Sequence, residues 1–187
     1  MTPDQARALM HEWTASPALR VHMEAVAACT TAYAHRLDPD HVADWTVCGI
    51  LHDFDYEKHP TPAEHPFVGV RHLESLGVSL DIRRAILGHA NYSGVPRDTP
   101  MAKALFACDE LAGFIVACAK VRPDGIATLE AKSVKKKLKD RSFAAAVSRE
   151  DIAVGAAELA PLTGLDEAAH IQVCIDAIRA RAADLGV

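Results

Sequence analysis

The sequence predicts an all-α protein. Apolar residues recur at intervals of three and four, Ser, Thr or Asp stands just ahead of one apolar segment after another, and no stretch alternates apolar with polar as a half-buried strand would. About eight or nine helices result, packed as a helical bundle. They fit one domain over residues 1–187, in which 126–187 supplies C-terminal helices docked on the rest.

Thr2-Pro3-Asp4 opens a short first helix reaching Trp13, and Ser16-Pro17 opens a second reaching Leu37, with Leu19, Met23, Val26, Ala27 and Tyr33 as its apolar stripe. Asp38 or Asp40 can cap a third, which carries Val42, Trp45, Val47, Ile50 and Leu51 and ends near His52 and Asp53. After a loop holding Pro60, Pro62 and Pro66, a helix with Val68, Val70, Leu73 and Leu76 stops at Gly77. Ser79 starts the next, which runs through Ile82, Ala85, Ile86 and Leu87 into His89. Thr99-Pro100 opens the longest apolar helix, MAKALFACDELAGFIVACAKV, interrupted by Asp109. A linker at 123–125, a lysine-rich helix, a capped helix beginning at Ser148 and a last amphipathic helix over Asp166–Leu185 complete the chain.

Composition narrows the function classes. Half the chain is hydrophobic, yet no apolar run approaches the roughly 18 residues of a membrane span. The N-terminus lacks the basic flank and apolar stretch of a secretion signal, so a cytoplasmic location and no membrane partner are expected. The net charge of -5 is mild, and the absence of an aromatic-rich basic surface argues against a dedicated nucleic-acid platform. The five cysteines, scattered through apolar segments without a CxxC spacing, read as buried reduced thiols. The strongly basic segment is Ala131–Arg141. It reads either as a solvated amphipathic helix or as lysines leaning over a pocket mouth to attract phosphate.

Chemistry concentrates around ILHDFDYEKH. Adjacent His52 and Asp53 make at most half of a metal site, and alone could be a helix end satisfied by polar groups. His22 shares a helix face with Val26 and therefore points inward, as a ligand or as a hydrogen-bonded core histidine. Asp109 sits among Phe106, Ala107, Leu111 and Phe114, where an ionised carboxylate needs a partner: Arg84, Lys103 or a bound cation. His65 and His89 lie at opposite ends of successive helices and can meet at a shared centre. Four imidazoles and two carboxylates suffice for two metals.

That order, His22, then His52-Asp53, then Asp109, resembles the HD superfamily of metal-dependent phosphohydrolases, an all-helical fold. HPFVGVRHLESLG followed by AILGH resembles its two-metal form, and LHDFDYEKHP, HANYSGVPRDTP, KALFACDELAGFI and SVKKKLKDRSFAAAVSRED resemble a bacterial and archaeal group of HD-domain hydrolases. The resemblance implies His22, His52, Asp53, His65, His89 and Asp109 as metal ligands, with Asp53 bridging. Phe54-Asp55 replaces the Ile-Gly common after His-Asp, and the GYP element of the cyclic-dinucleotide branch is absent.

The implied activity is hydrolysis of a P–O bond in a small phosphomonoester or nucleotide by a metal-activated water, without a Ser or Cys nucleophile. Mixed nitrogen and oxygen ligands favour Mn or Fe, with Zn, Ni or Co also suited and Mg a weaker match. Catalytic roles fall on Asp53, on Asp55, which could orient a ligating imidazole or take a proton, and on Lys58. Lys58, Arg97 and Lys103 are candidate phosphate donors, although Lys103 is six residues before Asp109 and need not share its face. Asn91 and Tyr92 are candidate substrate contacts through their adjacency to His89. Two rival readings use the same ligands: a diiron oxygenase of HD fold, and a regulatory domain with a structural metal. The apolar face Ile171, Cys174, Ile175 and Ile178 could pack internally or form a homodimer.

Overall fold

The computed structural model describes residues 1–187, all in helices, turns and loops. Ten α-helices follow one another: α1 (Pro3–Trp13), α2 (Pro17–Leu37), α3 (Val42–Leu51), α4 (Phe67–Ser75), α5 (Leu80–His89), α6 (Pro100–Lys120), α7 (Ala131–Leu138), α8 (Arg149–Thr163), α9 (Glu167–Arg179) and α10 (Ala182–Leu185). No helix is long and apolar enough to cross a membrane.

Most starts follow the capping chemistry of the sequence. Thr2 and Gln5 form a reciprocal capping box, and Ser16, Ser79, Thr99, Ser148 and Asp166 each accept an amide hydrogen from the first turn they precede. Two expectations are corrected. Neither Asp38 nor Asp40 caps α3, because a 3₁₀ turn over Pro39–His41 intervenes, and Asp38 instead takes hydrogens from His41 and Trp45. The final helix is not continuous to Leu185: it breaks after Arg179 and resumes as the single turn α10.

The two 21-residue helices α2 and α6 form the centre, with α3 against α2, α8 against α6, and α9 against both. Glycines permit the closest approaches. A methyl group on Gly49 of α3 would lie 2.5 Å from the Ala27 backbone of α2, and one on Gly155 of α8 would lie 2.6 Å from the Ala107 backbone of α6. One apolar cluster runs from Ala6 to Leu185, so residues 126–187 share their core with the rest of the chain. Ile171, Cys174, Ile175 and Ile178 are all fully buried in it, so of the two alternatives for this face, internal packing or a second copy, it is the internal one that the fold adopts. All five cysteines are free and buried. The sulfurs of Cys29, Cys108 and Cys174 lie within 4.8 Å of one another where α2, α6 and α9 meet.

Segment 52–66, which follows α3, is pinned to the N-terminal region. Thr14 donates its hydroxyl to the Phe54 carbonyl at 3.0 Å, and Glu57 accepts the amides of Ala15 and Ser16, each at 2.9 Å. Trp13 packs on Phe54 and His72. These contacts hold the chain emerging from α3 beside the start of α2, which carries His22.

Candidate metal centre

His22 projects from α2, His52 and Asp53 from the end of α3, His65 from just before α4, His89 from the last turn of α5 and Asp109 from the middle of α6. The structure brings all six to one place. On one side, His22 Nε2 lies 3.1 Å from His52 Nε2 and 3.1 Å from Asp109 Oδ1, and 3.7 Å from Asp53 Oδ2. On the other, His65 Nε2 and His89 Nε2 are 3.3 Å apart, and each is 3.3 Å from Asp53 Oδ1. The two oxygens of Asp53 therefore face two separate groups of donors.

The far nitrogens of three rings are already committed. His52 Nδ1 donates to the Gly49 carbonyl at 2.8 Å, His65 Nδ1 donates to Asp55 Oδ1 at 2.7 Å, and His89 Nδ1 donates to the Ile86 carbonyl. A neutral ring then turns a bare Nε2 lone pair inward. His65 and His89 would face each other lone pair to lone pair, an arrangement that a cation or added protons must relieve. Donors bound about 2.0–2.2 Å from one ion stand about 3–3.5 Å from each other, the separation seen here. The clusters His22, His52, Asp53 and Asp53, His65, His89 could each hold a metal ion.

Without an ion, the carboxylates draw protons onto two of the rings, His52 and His65. Burial disfavours charge on His52, but Asp53 and Asp109 outweigh it and carry its pKa up to about 9. Burial opposes charge on His65 too, and Asp53 and Asp55 raise its pKa to about 9. Burial likewise pushes Asp53 and Asp109 upward, yet the surrounding imidazoles hold both below the usual carboxylate range. Asp109 thus finds its partners in His22 and His52; Arg84 is occupied with Asp98 at 2.8 Å, and Lys103 forms no ion pair.

A cavity of about 370 Å³ opens onto the centre. Asn91 and Tyr92 line it, together with Tyr56 and Phe106. Lys58, Arg97 and Lys103 do not, and no lysine or arginine does. Lys58 lies over the Trp13 ring and reaches the Glu12 carbonyl. Arg97 binds both oxygens of Glu158, at 2.8 and 2.7 Å, stacks on Phe106 and donates to Asn91. Their charges are spent on tertiary contacts that residue type and adjacency to the ligands do not reveal.

Asp55 is 1% exposed, and both its oxygens accept hydrogen bonds, one from His65 and one from the Gly69 amide at 2.7 Å. It sits behind His65 and does not line the cavity, which fits orientation of that ring rather than direct contact with a substrate. The sequence reading missed Glu110 and Asp151, two carboxylates in the cavity wall. Burial raises the pKa of Glu110, which accepts the Ser148 amide at 3.1 Å, while Asp151 accepts from Asn91 at 3.0 Å. Glu110 is the chain neighbour of Asp109, the one signal that could have found it; Asp151 reads in the sequence as part of the Ser148 capping signature. The lysines of α7 do not reach this cavity.

Compared with known family models, curated proteins and solved structures, the chain matches none.

Proposed function

We propose that the chain is a metal-dependent phosphohydrolase of the HD type, cleaving a P–O bond of a small phosphomonoester or nucleotide. The observation that carries this reading is the Asp53 carboxylate, which offers Oδ1 to His65 and His89 and Oδ2 to His22 and His52. His22, His52, Asp53 and Asp109 would hold one divalent ion, and Asp53, His65 and His89 a second. The mixed nitrogen and oxygen set favours Mn or Fe, accepts Zn, Ni or Co, and suits Mg least. Two such ions would supply an activated water and neutralise phosphoryl oxygens.

The chain's own residues shape the remainder. Asp55 fixes the His65 ring so that Nε2 faces inward. Asn91 is braced between Arg97 and Asp151, and with Tyr56 and Tyr92 it borders an opening of small-molecule size. Because no lysine or arginine lines the cavity, a phosphate's charge has no side-chain cation to meet there, so substrate affinity should depend steeply on metal loading. The same absence favours, as a second reading, oxygen-consuming chemistry on an uncharged substrate at an iron pair.

The test is phosphate release from mononucleotides, sugar phosphates and phosphodiesters with Mn, Fe, Co or Ni, beside Asp53→Ala. Release by the parent alone supports hydrolysis. Oxygen consumption coupled to substrate loss, without phosphate release, would replace it with the oxidative reading.

A further inference from the structure

The lysine-rich segment has a surface of its own. Lys135, Lys139, Arg141 and Arg149 border a second cavity of about 400 Å³, together with Leu138, Ile152 and Glu167. It shares no residue with the cavity at the metal centre. Glu167 is its only acid and is paired with Lys135 at 2.8 Å.

The other three cations have no carboxylate. Lys139 and Arg141 are exposed and form no ion pair. Arg149 spends its two terminal nitrogens on the carbonyls of Asp140, Phe143, Ala144 and Val147, and its Nε is buried without an acceptor. Its bonds fold the 140–147 loop into the cavity wall, and its full positive charge stays uncompensated. The lining thus carries three positive charges without a carboxylate partner in a chain whose net charge is -5. Lys135, in the last turn of α7, and Lys139, the residue just past its end, are four apart, so the ammonium that Glu167 holds stands one turn from the free one.

We infer that this cavity between α7 and the first turn of α8 binds a small anion bearing two or more phosphate groups, as a site separate from the metal centre. A single phosphate would meet only part of a cation set spread around a cavity of this volume. No aromatic side chain lines the cavity, so it offers no platform on which nucleic-acid bases stack. The first turn of α8 stands between the two cavities: Arg149 and Ile152 face this one, and Asp151 faces the metal centre.

The test is calorimetric titration of the intact protein with inorganic tripolyphosphate, pyrophosphate and phosphate, beside the double variant Lys139→Ala/Arg141→Ala. Both positions are exposed, so the variant keeps the fold. The parent should bind tripolyphosphate most tightly, and the variant should bind it about tenfold or more weakly. Affinity should fall as salt rises, and amide exchange at 148–152 should slow on binding. Equal binding by parent and variant places the anion elsewhere, including the metal centre, and overturns the inference; so does no binding, or a single-stranded oligonucleotide that binds more tightly than tripolyphosphate. The readout needs no turnover, so failure of the phosphohydrolase reading leaves it intact.

Discussion

Asp55 and His65 are joined by one short hydrogen bond, Nδ1 to Oδ1 at 2.7 Å, and the second Asp55 oxygen is held by the Gly69 amide at the same distance. Both partners are donors, so an amide in place of the carboxylate must turn an NH₂ group against an N–H. Asp55→Asn should therefore weaken metal binding by about 10- to 100-fold with little loss of helix content. Metal titration followed by circular dichroism checks both halves. Gly69→Ala should weaken metal binding too but also lower stability, because its methyl would come within 2.8 Å of the Asp55 carboxylate and 2.7 Å of the buried Phe54 ring.

Arg97 should behave as a brace. Its guanidinium joins the loop after α5 to Glu158 of α8 through two parallel hydrogen bonds, which lysine cannot reproduce. Arg97→Lys should cost about 1–3 kcal/mol in denaturant unfolding. Unchanged stability with lost substrate affinity would instead return Arg97 to the phosphate-binding role that its place in the sequence suggested.

Close helix contacts set a second stability test. Gly49→Ala forces a methyl to within 2.6 Å of Thr30 Oγ1 and 2.5 Å of the Ala27 backbone, and should cost about 1–3 kcal/mol or more as α2 and α3 separate. Gly113→Ala is the control. Its methyl meets His22 at an ordinary 3.5 Å, so its unfolding midpoint should hold.

Stability should also carry the mark of His170, which lies far from solvent between the Tyr33 hydroxyl at 2.6 Å and the Ala107 carbonyl at 3.1 Å. Burial lowers its pKa. Above about pH 6.5 it is neutral folded or unfolded and contributes no slope; below that the unfolded chain takes up a proton that the folded chain refuses. Stability is therefore lost as pH falls, by at most about 1.4 kcal/mol per pH unit from this group. Comparing the parent with His170→Gln by urea unfolding at pH 5 to 7 isolates it: the parent's slope should exceed the variant's.

What could be read from the sequence is what depends on local chemistry. Ser16, Ser79, Thr99, Ser148 and Asp166 cap the helices they precede because a side-chain oxygen one step before a helix satisfies its free amides wherever it occurs. The six ligand-type residues were visible because imidazoles and a carboxylate on apolar helices need a reason to be there. Lys58 and Arg97 were misplaced because a long cation's partner is decided by tertiary contacts: Trp13 lies 45 positions before Lys58, and Glu158 lies 61 after Arg97. The break between α9 and α10 falls in IRARAADL, where every residue but Asp suits a helix, so nothing local announces it.

The proposed chemistry depends on Asp53 joining two ions. It is tested most directly by counting metal per chain, by elemental analysis of protein loaded with Mn or Fe, in the parent, His89→Ala and Asp53→Ala. Two ions are expected in the parent, one in His89→Ala, which retains the His22, His52 and Asp109 side, and none held stoichiometrically in Asp53→Ala. A parent that binds no metal, or an Asp53→Ala variant that keeps both ions, would contradict it.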